Sequence, residues 1–404
     1  MSTQTAHLRF ALLLGAFSAL GPLTIDMYLP AFPQITAAFG TRASLVQLSL
    51  TACLLGLACG QIIMGALSDV HGRRKPIVLS MLVYLAASFA CAVAPSIGLF
   101  IAARFIQGFA AASGIVISRA IVRDVFEGHE LTKFFSLLML VNNAAPLLAP
   151  VMGGGVISFT TWVGVFVVLG SIGILLTLLA TWRLKETLPP EKRSPSDLGR
   201  MMRNFGSLLG NRRFTGYALA QGLMIGGVFA YVSGTPFIYQ NIYGASPQLF
   251  SILFGTNGIS LILGSQVVGR LAHVVSERRL LVFGLLLAGF SSLGVLVCAL
   301  LVGPLPLLVA LLFLFVASIG ITSTASFTLA MESQGHIAGS ASALLGVIPF
   351  ILGSIVSPLV GIAGVHTAVP MGVIICATSF SALLAYYGLA RDRKREPGEM
   401  TVAS

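Results

Sequence analysis

Two ionisable residues, Asp26 and Arg104, stand deep inside long apolar runs of this sequence. An ionised group in hydrocarbon costs at least about 2.5–3.5 kcal/mol even on lenient insertion scales, so each needs a reason to be there. Asp26 lies seven residues before Pro33, where its run ends, and Arg104 lies eight residues after Ser96, where another begins. At the helical rise per residue both sit roughly 10–12 Å below the same surface, a shared depth that permits them to interact. Desolvation raises a carboxyl pKa and a neighbouring cation lowers it. A carboxyl wetted alternately from two sides therefore takes up a proton on one and releases it on the other. The same pair would also serve as a static ion pair joining two helices.

Prolines and glycines surround these charges. Pro22 and Pro30 flank Asp26, bending the backbone and freeing carbonyls beside it. Irregular backbone at membrane depth is tolerated where it packs inside protein or lines a water-filled cavity. The stretch NNAAPLLAPVMGGG, 142–155, predicts a kinked helix with a smooth face on which another helix rocks or simply packs. Segment 65–75, GALSDVHGRRK, combines a glycine for close helix approach with Gly72 for a left-handed turn. Asp69, at a helix end there, suits a latch onto arginines or a neighbouring helix N-terminus. Gly65, Asp69, Gly72, Arg73, Arg74, Pro150, Gly153 and Gly154 form the expected conformational gate. Candidate cavity residues are the polar or aromatic positions Tyr28, Gln107, Asn142, Asn143, Tyr231, Asn257 and Gln266. Each suits an interhelical hydrogen bond as well as a substrate contact.

Elements long enough to hold such residues follow from composition. The chain has 404 residues, 56% hydrophobic and 9% charged, with a mean hydropathy of +0.95. A soluble domain carries roughly 25% charged residues, so a water-soluble body is excluded. Five cysteines, all in apolar runs and none in a CxxC pair, read as small buried hydrophobes rather than bridges or metal ligands. A bilayer crossing needs about 20 apolar residues. Runs of that kind fall near 8–30, 45–67, 76–94, 97–118, 134–157, 162–182, 214–236, 248–270, 280–302, 305–330, 338–362 and 367–390.

Orientation follows from the basic residues. With the N-terminus inside, 22 of the 24 Lys and Arg fall on the cytoplasmic side, leaving only Arg42 outside and Arg104 within a span. The net charge of +11 thus reflects anchored loops rather than a nucleic-acid partner. Trp162 and Trp182 bracket the sixth span as interfacial anchors. The one long polar stretch, 183–213, predicts a cytoplasmic linker with a surface helix at 197–210. It divides the chain into six-span halves at 1–182 and 214–390, followed by a tail at 391–404. Segments 65–79 and 269–283 align at an offset of 204, so the halves read as a duplication. That offset puts Ala230 at the Asp26 position, and the acid belongs to the first half alone.

No Walker A loop, HExxH or GxSxG with a partner base is present, which excludes primary active transport and leaves no constellation for an enzyme. No cofactor or metal is called for. Segment 65–75 resembles the loop signature of the major facilitator superfamily, and Arg104 to Gly108 (RFIQG) resembles its fourth-helix motif. Residues 149–154, APVMGG, resemble the fifth-helix antiporter motif, departing from it at Ala149 and upstream at Ala145. The segments TIDMYLPAFP, 24–33, and RAIVRD, 119–124, are similar to the Bcr/CflA drug-resistance branch. The likeness spans essentially the whole chain; the second half repeats only the loop, with His273 at the Asp69 position.

This resemblance implies an all-α integral membrane protein of twelve helices in two pseudo-symmetric six-helix bundles. It implies a proton-coupled antiporter exporting small amphipathic compounds, chloramphenicol- or bicyclomycin-type antibiotics among them, by alternating access. Asp26 would carry the proton, Arg104 would couple it, and the 149–154 motif would favour exchange over leak. The partners are then a drug-like small molecule, protons and membrane lipid. The setting is the cytoplasmic (inner) membrane, with both termini cytoplasmic and the single chain functional. A metabolite importer or facilitator on the same fold, for a sugar or amino-acid derivative, is the alternative.

Overall fold

The computed structural model describes residues 3–193, 198–332, 334 and 337–391, and the regular structure among them is helical, with no strand. Twelve helical segments are long and apolar enough to cross a bilayer, from Phe10–Ala38 to Val369–Ala390, and each coincides with one expected run. The first span is broken into α1 (Thr3–Asp26) and α2 (Phe32–Ala38). The next five are α3 (Ala43–His71), α4 (Arg74–Ala92), α5 (Ile97–Val125), α6 (Gly128–Phe159) and α7 (Trp162–Trp182). Helix α8 (Leu198–Gly210) lies in the linker, one residue from the expected start. The remaining spans are α9 (Arg212–Phe237), α10 (Pro247–Leu271), α11 (Glu277–Leu300), α12 (Leu305–Met331), α13 (Ala338–Val356) and α14 (Val369–Ala385).

Helices pack mainly within their own half: α1 on α5 and α6, α3 on α5, α4 on α5 and α7. In the second half α10 packs on α12, α11 on α12 and α14, and α9 on α12, α13 and α14. Lipid tails are as apolar as leucine, so burial alone does not hold helices together in a bilayer; close backbone approach does. Cβ atoms at Gly56 and Gly60 of α3 would strike the Phe105 and Phe109 carbonyls, and one at Gly108 of α5 the Cys53 carbonyl. The second half repeats the device, with Gly264 against the Ala317 carbonyl and Gly320 against that of Leu261. On α5, the helix of Gly108, Arg104 is wholly buried.

Contacts between the halves run along α6 with α10 and α3 with α13. The polar ones lie toward the end away from the basic loops. Gln47 donates to the Ser233 carbonyl at 3.0 Å, Thr51 to the Ser354 carbonyl at 3.1 Å and Gln240 to the Pro30 carbonyl at 3.1 Å. There too Phe32 meets Phe237 at 5.7 Å between ring centroids. One cysteine departs from expectation: Cys59 is exposed on α3, whereas the other four are buried.

Candidate functional site

Asp26 is the last residue of α1, 5% exposed, at the point where the first span unwinds. Pro22 bends the helix before it, and Tyr28 leads into a 3-10 turn, Leu29–Ala31, whose Pro30 ends regular helical bonding. A helix C-terminus carries partial negative charge and gives a carboxylate no support. Among the described residues no hydrogen bond or ion pair reaches the Asp26 carboxyl. It lies within charge reach of the Cys53 thiol on α3 and of the Tyr231 hydroxyl on α9, in the other half.

Arg104 reaches the same level by another route. Its guanidinium donates to the Thr24 carbonyl at 2.8 Å and to the Gln107 side chain, and it covers the Tyr28 ring at 4.0 Å. Among the described residues its Nε has no partner. Arg104 thus meets α1 close to Asp26, but among the described residues the static ion pair is absent: the arginine grips the backbone two residues before the acid. Thr24 is held a second time, its hydroxyl 2.8 Å from Tyr84 Oη on α4. Gln107 in turn donates to Ser88 at 2.8 Å. Together α4 and α5 fix the half-helix that ends in Asp26.

The expected cavity residues separate into distinct groups. Tyr28 and Gln107 are fully buried within the first half as partners of Arg104 and face no open space in this conformation. Asn142 donates to Ser18 on α1 and to the Leu138 carbonyl, an interhelical bond of the kind anticipated. The Asn143 side chain lies outside the described residues. Tyr231 and Asn257 come together, Asn257 Nδ2 donating to Tyr231 Oη at 3.2 Å. Gln266 is exposed on α10, on the face opposite the buried Gly264 and Val268.

The gate residues fall into two places. At the basic end Arg73 donates to Asp124 at 2.8 Å, to Ser68 at 2.8 Å and to Asp69. Asp124 ends α5, where the helix dipole disfavours a carboxylate, so the arginine offsets both. Among the described residues Asp69 pairs with Arg73, and the N-terminus of α4 is met instead by Glu186 from the linker. Glu186 accepts from the backbone N–H of Arg73 at 2.8 Å and Arg74 at 3.2 Å, and from those of Leu188 and Thr187. Gly72, at φ +84°, lets the chain pass beneath that carboxylate, which a Cβ would strike. Arg74 reaches the Thr181 carbonyl, and Gly65 lies against Val116 of α5. In the second-half copy the offset puts Glu277 where Arg73 stands, and a Cβ at Gly269 would have nothing within 4 Å among the described residues.

Partial burial favours the neutral Glu186 carboxyl, but its backbone donors outweigh that and hold it below the ordinary carboxylate range. A depressed folded pKa stabilises the fold above the unfolded value of about 4.3 and loses that contribution as pH falls through the lower folded one. Glu186→Gln should speed amide exchange at Arg73 and Arg74 several-fold at neutral pH; exchange as slow as the parent's would disprove the clamp.

The second group is on α6. A Cβ at Gly153 would fall on the Met27 carbonyl, next to Asp26, and one at Gly154 on Ser251 of α10. Pro150 is buried on the same helix. The motif thus wedges between the acid's segment and the opposite half.

The profile of the Major Facilitator Superfamily matches residues 12–358. The chain belongs to that superfamily. It is 53% identical over 393 residues to the uncharacterized MFS-type transporter YdgK of Bacillus subtilis, covering 97% of this chain and 98% of that one. It is 33% identical over 399 residues to the bicyclomycin resistance protein homolog of Haemophilus influenzae, covering 98% and 100%. Its fold matches the crystal structure of a D-xylose-proton symporter with a TM-score of 0.75 at 15% identity, over 95% and 98% of the chains. Family and fold are those of multi-pass membrane transporters rather than enzymes.

Sequence reasoning passed over Glu186, Tyr84 and Tyr239. Tyr84 lies within α4 and Tyr239 in the π-helical turn Ile238–Ile242, and nothing local in the sequence marks either. Glu186 acts across 113 residues, on the Arg73 N–H, so only the fold reveals it.

Proposed function

We propose that this transporter is a proton-driven antiporter exporting small amphipathic, drug-like compounds. The observation that carries the reading is Asp26, a buried carboxyl at a helix break, unpaired among the described residues and facing the opposite half. The resistance function in the name of the Haemophilus influenzae relative agrees with it. The halves, 1–182 and 214–390, rock about the linker 183–213, with 391–404 as a tail. By the positive-inside rule the basic end faces the cytoplasm, with both termini, across the cytoplasmic membrane.

In the present conformation the halves meet toward the outer end, so the acid exchanges with the cytoplasm. Loss of its proton leaves a buried carboxylate without a partner, a costly state relieved by water and substrate entering beside it. After the halves rock, the outer medium wets the same carboxyl; protonation removes its charge and substrate leaves outward. Arg104 positions this acid through the Thr24 carbonyl, fixing the half-helix without neutralising it. The Arg73 latch, clamped by Glu186, opens and closes at the basic end, while α6 keeps the acid's turn packed during the exchange. A single chain contains every part.

Flux direction tests the reading. Everted vesicles carrying the protein and acidified inside should accumulate chloramphenicol, and right-side-out vesicles should exclude it. Uphill uptake by right-side-out vesicles would instead identify an importer.

A further inference from the structure

The second half contains a polar cluster that the proton pathway does not use. Asn257 is fully buried on α10, with its Nδ2 on Tyr231 Oη and its Oδ1 without a partner. Beside it the Tyr239 hydroxyl, also fully buried, faces the same amide without meeting hydrogen-bond geometry, so among the described residues neither this hydroxyl nor Asn257 Oδ1 is satisfied. Exchanging the amide's two ends would only move the vacancy to its nitrogen, since the tyrosine hydroxyl donates or accepts. Rings surround the amide in sequence. Tyr231 stacks on Phe254 at 5.0 Å and 12°, Phe254 meets Phe250 at 5.6 Å, and Phe250 meets Tyr239 at 6.0 Å.

Unsatisfied buried polar atoms are rare and costly, and a cluster of them inside an aromatic wall, closed in this conformation, has the chemistry of a binding site that opens as the halves rock. No charged residue takes part, so the complement is an uncharged hydrogen-bonding group attached to a flat ring that the aromatic faces accept. The place fits a substrate as well. Tyr231 lies within charge reach of Asp26 across the boundary between the halves. The offset of 204 puts Asn257 where the first half has Cys53, the thiol within reach of both Asp26 and Arg104. One repeat holds the ionic site at this position and the other a neutral one.

We propose that Asn257 and Tyr239, within the ring wall of Tyr231, Phe250 and Phe254, form a specificity subsite for the amide or hydroxyl group of uncharged aromatic substrates. The inference rests on the export reading and adds a division of labour: the first half handles the proton and the second selects the substrate.

Two probes separate the consequences. Chloramphenicol is an uncharged nitroaromatic with an amide and two hydroxyls; tetraphenylphosphonium is an aromatic cation with no hydrogen-bonding group. Binding is measured on the purified full-length protein, with thermal unfolding as the check on folding. Asn257→Ala should weaken chloramphenicol binding about five- to tenfold, the worth of one hydrogen bond, and Tyr239→Phe, which removes a single oxygen, should do the same. Both should leave tetraphenylphosphonium within about twofold and the pH dependence of transport unchanged. Should Asn257→Ala fail to fold, Tyr239→Phe decides the matter alone. Undiminished chloramphenicol affinity, or equal loss for both probes, overturns the subsite and leaves the export reading standing. No binding of either probe by the intact protein overturns both.

Discussion

Asp26→Asn should abolish uphill transport while leaving the protein folded. The amide matches the carboxyl in shape but carries no exchangeable proton at any working pH. No second acid lies deep in the spans to take its place; the sequence has only 13 Asp and Glu, and the rest lie in loops or near span ends. With one titratable acid, one proton per cycle is expected, and a gradient of one pH unit then sustains about a tenfold substrate ratio. In proteoliposomes with that gradient imposed, the parent should approach this ratio and the variant should stay near one. Downhill exchange of labelled for unlabelled substrate should survive, because the halves still rock. Thermal unfolding should hardly change, since among the described residues the carboxyl makes no ion pair that the amide would break. A variant that still concentrates substrate against a pH gradient would remove Asp26 from the mechanism.

Much of this was legible in the chain because a bilayer imposes simple rules. A span must be about 20 apolar residues long and its loops carry the basic charge. Hence the twelve spans, the linker helix α8 and the break around Asp26 were open to reading. What stayed hidden depends on rotation about a helix axis rather than depth along it. Depth placed Asp26 and Arg104 at one level, yet not which way the unwound turn directs the carboxyl; the arginine instead found the Thr24 carbonyl. For the same reason the sequence does not reveal that the Tyr28 ring lies under that guanidinium. Asn142 is open to two readings from sequence, and in this conformation it donates to Ser18 of α1. The Glu186 clamp was beyond reach because nothing local says where a linker folds back.

The glycines of α6 give the second large effect, and neighbouring positions supply its controls. At Gly153 an added Cβ meets the Met27 carbonyl, a backbone atom that cannot swing aside as a side chain can. Either α6 retreats from α1 or the turn after Asp26 shifts, and overpacking of this sort costs about 1–3 kcal/mol. The displaced element is the one that orients the proton carrier, so transport should suffer more than stability. Gly153→Ala should lower the pH-driven rate at least about tenfold, with a modest fall in unfolding temperature. At Gly154 the obstacle is the Ser251 hydroxyl, which can rotate away, although the Pro247 carbonyl at 3.3 Å cannot. Gly154→Ala should therefore be milder and should act on the contact between the halves. Gly155 has nothing within 4 Å, and its alanine should behave as the parent. This ordering separates a wedge pressed on the acid's turn from a helix that merely needs flexibility, since flexibility would make all three substitutions alike. Equal rates for the three variants, measured in one proteoliposome preparation, would remove α6 from the coupling.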